Sequence, residues 1–187
     1  MDSKIRCAWC EKDDLYRDYH DNEWGNPVYD DATLFEFLVL ETFQAGLSWH
    51  TILRKRENFR SAFDQFECQK VAQYDEDKVQ QLLLDAGIIR NRLKIRGSIS
   101  NAIAFMKVQE EFGSFSKYIW GFVNHKPIVN NLKSLRDIQA TTSISDSISK
   151  DLKKRGFKFV GSTVVYAHMQ AIGMVNDHVA DCWKRKK

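Results

Sequence analysis

Proline is scarce in this chain: two stand among 187 residues, Pro27 and Pro127. Long stretches therefore run without an obligatory helix break. No apolar run is long enough to span a bilayer, so a membrane protein of the helical kind is excluded. Met1-Asp2-Ser3-Lys4 begins no signal peptide, and a cytoplasmic location is expected. In that compartment the four cysteines (Cys7, Cys10, Cys68 and Cys182) are expected to be thiols or metal ligands rather than disulfides. Charge of one sign is lacking as well. The net charge of +3 is too small to argue for nucleic acid by itself. Basic residues do cluster, at Arg54 to Arg56, Arg90 to Arg96, Lys153 to Arg155 and Lys184 to Lys187. Each cluster alone reads as a solvated helix face, and their joint meaning depends on a neighbouring phosphate-binding loop.

What is present is an ordinary globular composition, 43% apolar and 28% charged, sized for a single domain over 1–187. The apolar periodicity is helical almost throughout. Helices are expected from Asp31 to Gly46, with Leu34, Phe37 and Leu38 on one face, and from Ser48 to about Phe63. Asp75 can cap a third, with Gly87 at its end, and a fourth runs from about Asn91 to Glu111. Shorter ones follow near Ser116 to Val123, Ser145 to Arg155 and Ser162 to Met174. Phe157 to Val160 reads as extended, but one short strand makes no sheet. The expected class is all-α, with one lobe formed by the two ends and another by the middle helices.

The ends carry matching halves of one candidate metal site: Cys7 and His20 near one, His178 and Cys182 near the other. Two thiols and two imidazoles suit tetrahedral Zn²⁺, and four protein ligands leave no open position, so the ion would be structural. His178 and Cys182 are i and i+4, on one face of a helical turn. The competing reading is four unrelated residues. Cys7-Ala8-Trp9-Cys10 is a C-x-x-C without a βαβ context, which speaks against redox chemistry but would let Cys10 replace His20 at the metal.

The third and fourth helices are joined by Leu84-Asp85-Ala86-Gly87-Ile88-Ile89-Arg90-Asn91-Arg92. A glycine turn leading into a helix with basic residues in its first turn makes an anion site. Free N–H groups and the helix dipole face the anion, and Arg90, Arg92 and Lys94 add salt-dependent attraction. The segment resembles the helix-hairpin-helix motif of DNA repair proteins, with Ile89 where a second glycine is normal. The alternative is a plain αα-hairpin with a glycine cap.

Glu41 falls on the stripe Leu34, Leu38, Glu41 and Ala45. A carboxylate there is costly unless paired, hydrogen-bonded or protonated. Either it marks a stripe edge facing water or a salt bridge, or it is a pocket acid. Trp9, Tyr16, Tyr19, Trp24 and Trp49 lie nearby in sequence; with one acid they describe a slot for a flat heterocycle.

Taken together, the chain closely resembles the bacterial DNA-3-methyladenine glycosylase I family over nearly its whole length. The resemblance rests on Arg6-Cys7-Ala8-Trp9, on Tyr16 through Gly25, on Gln44-Ala45-Gly46-Leu47-Ser48-Trp49 and on Asp85 through Arg90. It continues in Phe122-Val123-Asn124-His125, Lys153 through Gly161 and Val175-Asn176-Asp177-His178. It implies a helix-hairpin-helix glycosylase fold and structural Zn²⁺ on Cys7, His20, His178 and Cys182. It also implies excision of 3-methyladenine from double-stranded alkylated DNA after base flipping, by a monomer with no membrane partner. The implied base pocket is Trp9, Tyr16, Tyr19, Trp24, Glu41 and Trp49, with Glu41 and Tyr19 closest to the chemistry. The implied DNA contacts are Gly87, Ile88, Ile89, Arg90, Arg92 and Lys94. The family lacks the catalytic aspartate that most of the superfamily carries downstream of the hairpin; here no Asp follows Asp85 until Asp137. Two rival functions remain at this level: a non-catalytic, zinc-stabilised lesion binder and a zinc hydrolase. The basic tail, Trp183 to Lys187, is expected to be disordered and to add nonspecific DNA attraction.

Overall fold

A computed structural model describes residues 4–186. It is mostly helical. The helices are α1 (Asp14–Asn22), α2 (Asp31–Gln44), α3 (Trp49–Ala62), α4 (Cys68–Ala72), α5 (Glu76–Leu84), α6 (Arg92–Phe112), α7 (Phe115–Gly121), α8 (Ser143–Lys154) and α9 (Ser162–Ala171). Two two-residue strands, β1 (Ile128–Val129) and β2 (Val175–Asn176), pair in parallel with Ile128 opposite Val175. The helix starts are written in the sequence. Asp13, Asp30, Ser48, Asp75, Asn91, Ser114 and Thr142 each accept a backbone N–H of the first turn they precede.

The centre is α2. Leu34, Phe35, Phe37, Leu38, Val39, Leu40, Glu41, Thr42 and Phe43 are all buried, so this helix is covered nearly all round rather than along one stripe. It packs against α3, α6, α7 and α9. Its first residue, Asp31, also caps α7, accepting from the amides of Phe115 at 2.9 Å and Ser116 at 2.8 Å.

Three expectations are corrected. The segment Phe157 to Val160 forms no strand, because Asn101 satisfies the Lys158 backbone through its side chain (2.6 and 3.1 Å) and Phe159 turns into the left-handed region at φ 57°. The pairing strands are β1 and β2. The tail up to Lys186 is a 3₁₀ turn folded onto the body. Trp183 Nε1 donates to Asp21 at 3.2 Å, and the buried Lys184 donates to Asn26 Oδ1 at 2.6 Å. Lys187 lies outside the described residues. Sequence periodicity also missed α1, although Asp13 and Asp14 are ordinary signals for a helix start.

Candidate active site and metal cluster

Helix α1 decides where the aromatics go. Tyr16, Tyr19 and His20 stand at i, i+3 and i+4, hence on adjoining faces of one turn. The 3₁₀ turn Ala8–Cys10 sets Trp9 beside them, with ring centroids 4.8 Å from Tyr16 and 5.1 Å from Trp24. Trp49, the first residue of α3, closes the far side, 5.4 Å from Tyr19. Trp9, Tyr16, Tyr19, Trp24, Glu41 and Trp49 therefore line one cavity of about 210 Å³, completed by Gln44, Ile138, Ala167 and Gln170. That is below the roughly 300–1,000 Å³ of sites for drug-sized ligands and suits one small planar ring.

Glu41 is 3% exposed, which removes the reading of a stripe edge facing water. Among the described residues its Oε2 has no hydrogen-bond partner, and neither has the indole N–H of Trp49. Burial pushes the Glu41 carboxyl up to about 8, so at neutral pH the empty pocket holds mostly the protonated acid. Burial, with Glu41 nearby, raises both phenols as well, Tyr16 to about 12 and Tyr19 well above its ordinary value. Both remain neutral hydroxyls at working pH. A pocket walled by π-faces with an unpartnered acid and an unpartnered donor is set up for a flat ligand with polar edges.

Behind this wall lies the cluster expected from the two ends. Ligand atoms of Cys7, His20, His178 and Cys182 lie within 4.8 Å of one another, and all four residues are buried. Cys182 Sγ is 3.4 Å from both His20 Nε2 and His178 Nδ1, and Cys7 Sγ is 3.7 Å from His178 Nδ1. Tetrahedral geometry with bonds of about 2.0–2.3 Å requires donor separations of roughly 3.3–3.8 Å. Three of the contacts fall in that range, and the donor set fits a zinc ion in its chemistry. His20 Nδ1 is 2.8 Å from Asp21 Oδ1, which aims Nε2 at the centre, and Arg6 in turn anchors Asp21 at 2.8 Å. His178 Nε2 faces the Trp24 carbonyl at 3.3 Å. Gly25 sits so close that a Cβ there would lie 3.0 Å from that nitrogen, and its φ of 75° disfavours any side chain. Cys10 is buried but stands outside the four-residue group.

The wall between the two regions is shared. Trp24 contacts the His178 ring at 4.6 Å, and Trp9 contacts the His20 ring at 5.4 Å. A buried Arg56 bridges Glu23 at 2.6 Å and Glu36 at 2.5 Å, tying the end of α1 to α2 and α3.

The hairpin residues separate into two groups. Lys94 is buried and donates to the carbonyls of Phe43 at 2.8 Å and Ala45 at 2.6 Å. It caps the C-terminus of α2 and is corrected as a DNA contact. Ile88 is a core side chain, 3% exposed. Arg92 reaches solvent but is paired with Glu76 at 2.7 Å. Gly87 does not end α5, which stops at Leu84. Its amide donates to Asp85 Oδ1 at 2.7 Å, and a Cβ there would meet Asn58 at 3.1 Å. Close packing on α3 is what requires a glycine. Lys55 on α3 fastens the same turn, donating to the carbonyls of Ala86 and Gly87 at 3.0 Å each. Among the described residues the amides of Ile89 and Arg90 and the Arg90 side chain have no protein partner.

The family model for methyladenine glycosylase matches residues 9–185. The chain is 52% identical over 177 residues to DNA-3-methyladenine glycosylase 1 of Escherichia coli K12, covering 95% of each. A crystal structure of 3-methyladenine DNA glycosylase I superposes with a TM-score of 0.93 at 49% identity, over 96% of this chain and 98% of that one. A variant of such an enzyme in complex with 3-methyladenine superposes at 0.94 with 38% identity, over 97% of this chain and 98% of that one.

Proposed function

This chain belongs to the methyladenine glycosylase family, and on that premise we propose how its own residues carry out the family's reaction. It is a DNA glycosylase of base-excision repair, hydrolysing the N-glycosidic bond of 3-methyladenine in alkylated DNA. The observation that carries the site assignment is the pair of unpartnered buried atoms, Glu41 Oε2 and Trp49 Nε1, inside an aromatic slot.

Methylation at N3 makes the nucleobase cationic and weakens its bond to the sugar. Water adds to C1′, the C1′–N9 bond breaks, and its electron pair returns to the ring, so the base leaves neutral. The water proton goes to solvent. No acid is needed at the leaving group, in keeping with the missing aspartate after Asp85. What remains for the protein is to accept the extruded nucleotide and stabilise its charge. Trp9, Tyr16, Tyr19, Trp24 and Trp49 present π-faces, worth about 0.5–2 kcal/mol to a cation and nothing comparable to neutral adenine. Glu41 adds a response to charge. A cation in the slot lowers its raised pKa, so the acid ionises when the lesion binds and its carboxylate accepts from the base edge. Tyr19 packs on Trp49 and lines the cavity with Glu41, where it holds the ring in place.

Zn²⁺ held by Cys7, His20, His178 and Cys182 would supply cross-linking of the two ends, with no coordination position left for substrate. The hairpin would engage the phosphate backbone through Arg90 and the amides of Ile89 and Arg90, with Gly87 setting its shape and Arg92 adding charge. A helix-hairpin-helix role and a monomeric protein acting on the duplex complete the reading.

The test is base release from duplex DNA methylated with dimethyl sulfate. The wild-type chain should release free 3-methyladenine, and Glu41→Gln should lower the rate by about 10–100-fold. Wild-type rates in that variant would sink the pocket assignment. Tight lesion binding without release by the wild type would replace the enzyme with a damage binder.

A further inference from the structure

Gln170, on α9, lines the same cavity as Glu41 and was not visible in the sequence pattern. Its side chain is held by one hydrogen bond: Nε2 donates to Asp177 Oδ2 at 2.8 Å. Asp177 is 1% exposed and also receives Tyr166 Oη at 2.8 Å and Asn130 Nδ2 at 2.6 Å. A carboxylate ringed by three donors offers only acceptors to a neighbour. It therefore fixes which way the Gln170 amide is turned, because only the NH₂ end can face it. The carbonyl oxygen is left over, with no donor among the described residues. The backbone is fixed too. The Gln170 carbonyl accepts from Gly25 at 3.1 Å, next to the pocket residue Trp24, and from Gly173 at 3.3 Å.

We propose that Gln170 is a pre-oriented hydrogen-bond acceptor for the exocyclic amino group of the extruded base, positioned by Asp177, and that the pair separates 6-amino from 6-oxo purines. This deepens the glycosylase reading and rests on it. An amino group at C6 carries two N–H donors. Glu41 takes one from α2, and Gln170 takes the other from α9. A 6-oxo purine such as 3-methylguanine presents a carbonyl at that place. The amide cannot turn to greet it without giving up Asp177, so acceptor faces acceptor. A site built around a substrate N–H in this way discriminates far better than one that only fits a shape. Gln170 is then a specificity residue, and Asp177 a positioning residue that acts through it.

The competing role is structural, with Asp177 merely fastening β2 to α9 through Tyr166 and Gln170. The two roles are separated by comparing bases rather than rates. Affinities of the folded protein for free 3-methyladenine and free 3-methylguanine would be read from quenching of the tryptophans in the pocket wall. Gln170→Met keeps the volume and removes the acceptor. It should weaken 3-methyladenine about tenfold while leaving 3-methylguanine within twofold, collapsing the preference. Gln170→Ala provides the same readout if methionine fails to fold. Asp177→Asn frees the amide to turn and should shrink the preference in the same direction, by less. An unchanged ratio in Gln170→Met and Gln170→Ala, whether both bases weaken together or neither does, overturns the proposal. Wild-type protein is run in parallel on methylated duplex DNA. Absence of base release there removes the glycosylase reading itself, whereas release with an unchanged ratio removes only this inference.

Discussion

The base pocket and the Cys/His cluster share a wall and treat polarity in opposite ways. In the cluster every ligand atom already faces another, and Asp21 and the Trp24 carbonyl aim the outer nitrogens of the two histidines. In the residues that line the pocket, Glu41 Oε2 and Trp49 Nε1 have no hydrogen-bond partner among the described residues. The first arrangement suits a guest that arrives once and stays. The second suits one that comes and goes, because an unpartnered acid keeps part of the binding free energy in reserve for the correct ligand. Support and chemistry are thus separated by one layer of rings, Trp9 and Trp24.

The strongest way to break this comparison is to remove the metal proposed for the cluster. If Zn²⁺ joins these four buried side chains from opposite ends of the chain, its loss leaves two thiols and two imidazoles without the bonds that hold the ends together. Stripping metal with a chelator, or Cys182→Ala, should destabilise the fold by on the order of 5 kcal/mol or more. For a chain of this size that lowers Tm by at least roughly 10 °C. Binding of free 3-methyladenine should fall with it, since the tryptophans resting on His20 and His178 lose their backing. An unchanged Tm after verified metal removal, followed by circular dichroism, would rule out the structural ion.

A smaller and opposite effect belongs to Glu41. Its folded-state pKa of about 8 lies above its ordinary value of 4.5. At low pH the acid is protonated in both folded and unfolded chains. As pH rises from about 4.5 towards 8, the unfolded chain ionises freely and the folded one does not, so stability is lost across that window and levels off above it. Glu41→Gln, which is slowed by the pocket argument, should therefore be more stable than wild type at pH 8 by roughly 2–4 kcal/mol. The advantage should vanish near pH 4.5. Parallel Tm curves for the two proteins over that range would mean that Glu41 has a partner in solution. That outcome would erase the contrast between pocket and cluster.

The two regions were also unequally legible. Residue type suggested the cluster, but four unrelated residues, or Cys10 in place of His20, fitted the sequence as well until the fold brought the two ends together. The aromatics expected together do line one cavity, but α1, the helix that arranges them, was missed. Tyr16, Tyr19 and His20 only become neighbours once Asp13 starts that helix. Gln170 carried no signal, since a glutamine on a helix is unremarkable, and Asp177 stood only within the Val175-Asn176-Asp177-His178 resemblance until the fold bonded it to that cavity-lining side chain at 2.8 Å. Lys94 misled for a physical reason. A basic residue in a first helical turn looks the same in sequence whether it snorkels to water or caps the carbonyls of another helix, as it does at Phe43 and Ala45.

The hairpin lies outside both regions, and a substitution there sharpens the contrast by sparing them. Gly87 touches neither the pocket lining nor the cluster; its neighbours are Asp85 and Asn58. Gly87→Val would force the turn away from α3, straining the Lys55 bonds that hold it. Overpacking of this kind costs about 1–3 kcal/mol. Affinity for duplex DNA at moderate salt should fall about tenfold, as expected for losing one or two phosphate contacts. Affinity for free 3-methyladenine should not change, because the walls on α1, α2, α3 and α9 stay in place. Equal loss of both affinities would show that hairpin and pocket move as one body. Unchanged DNA affinity would mean that the amides of Ile89 and Arg90 face no phosphate.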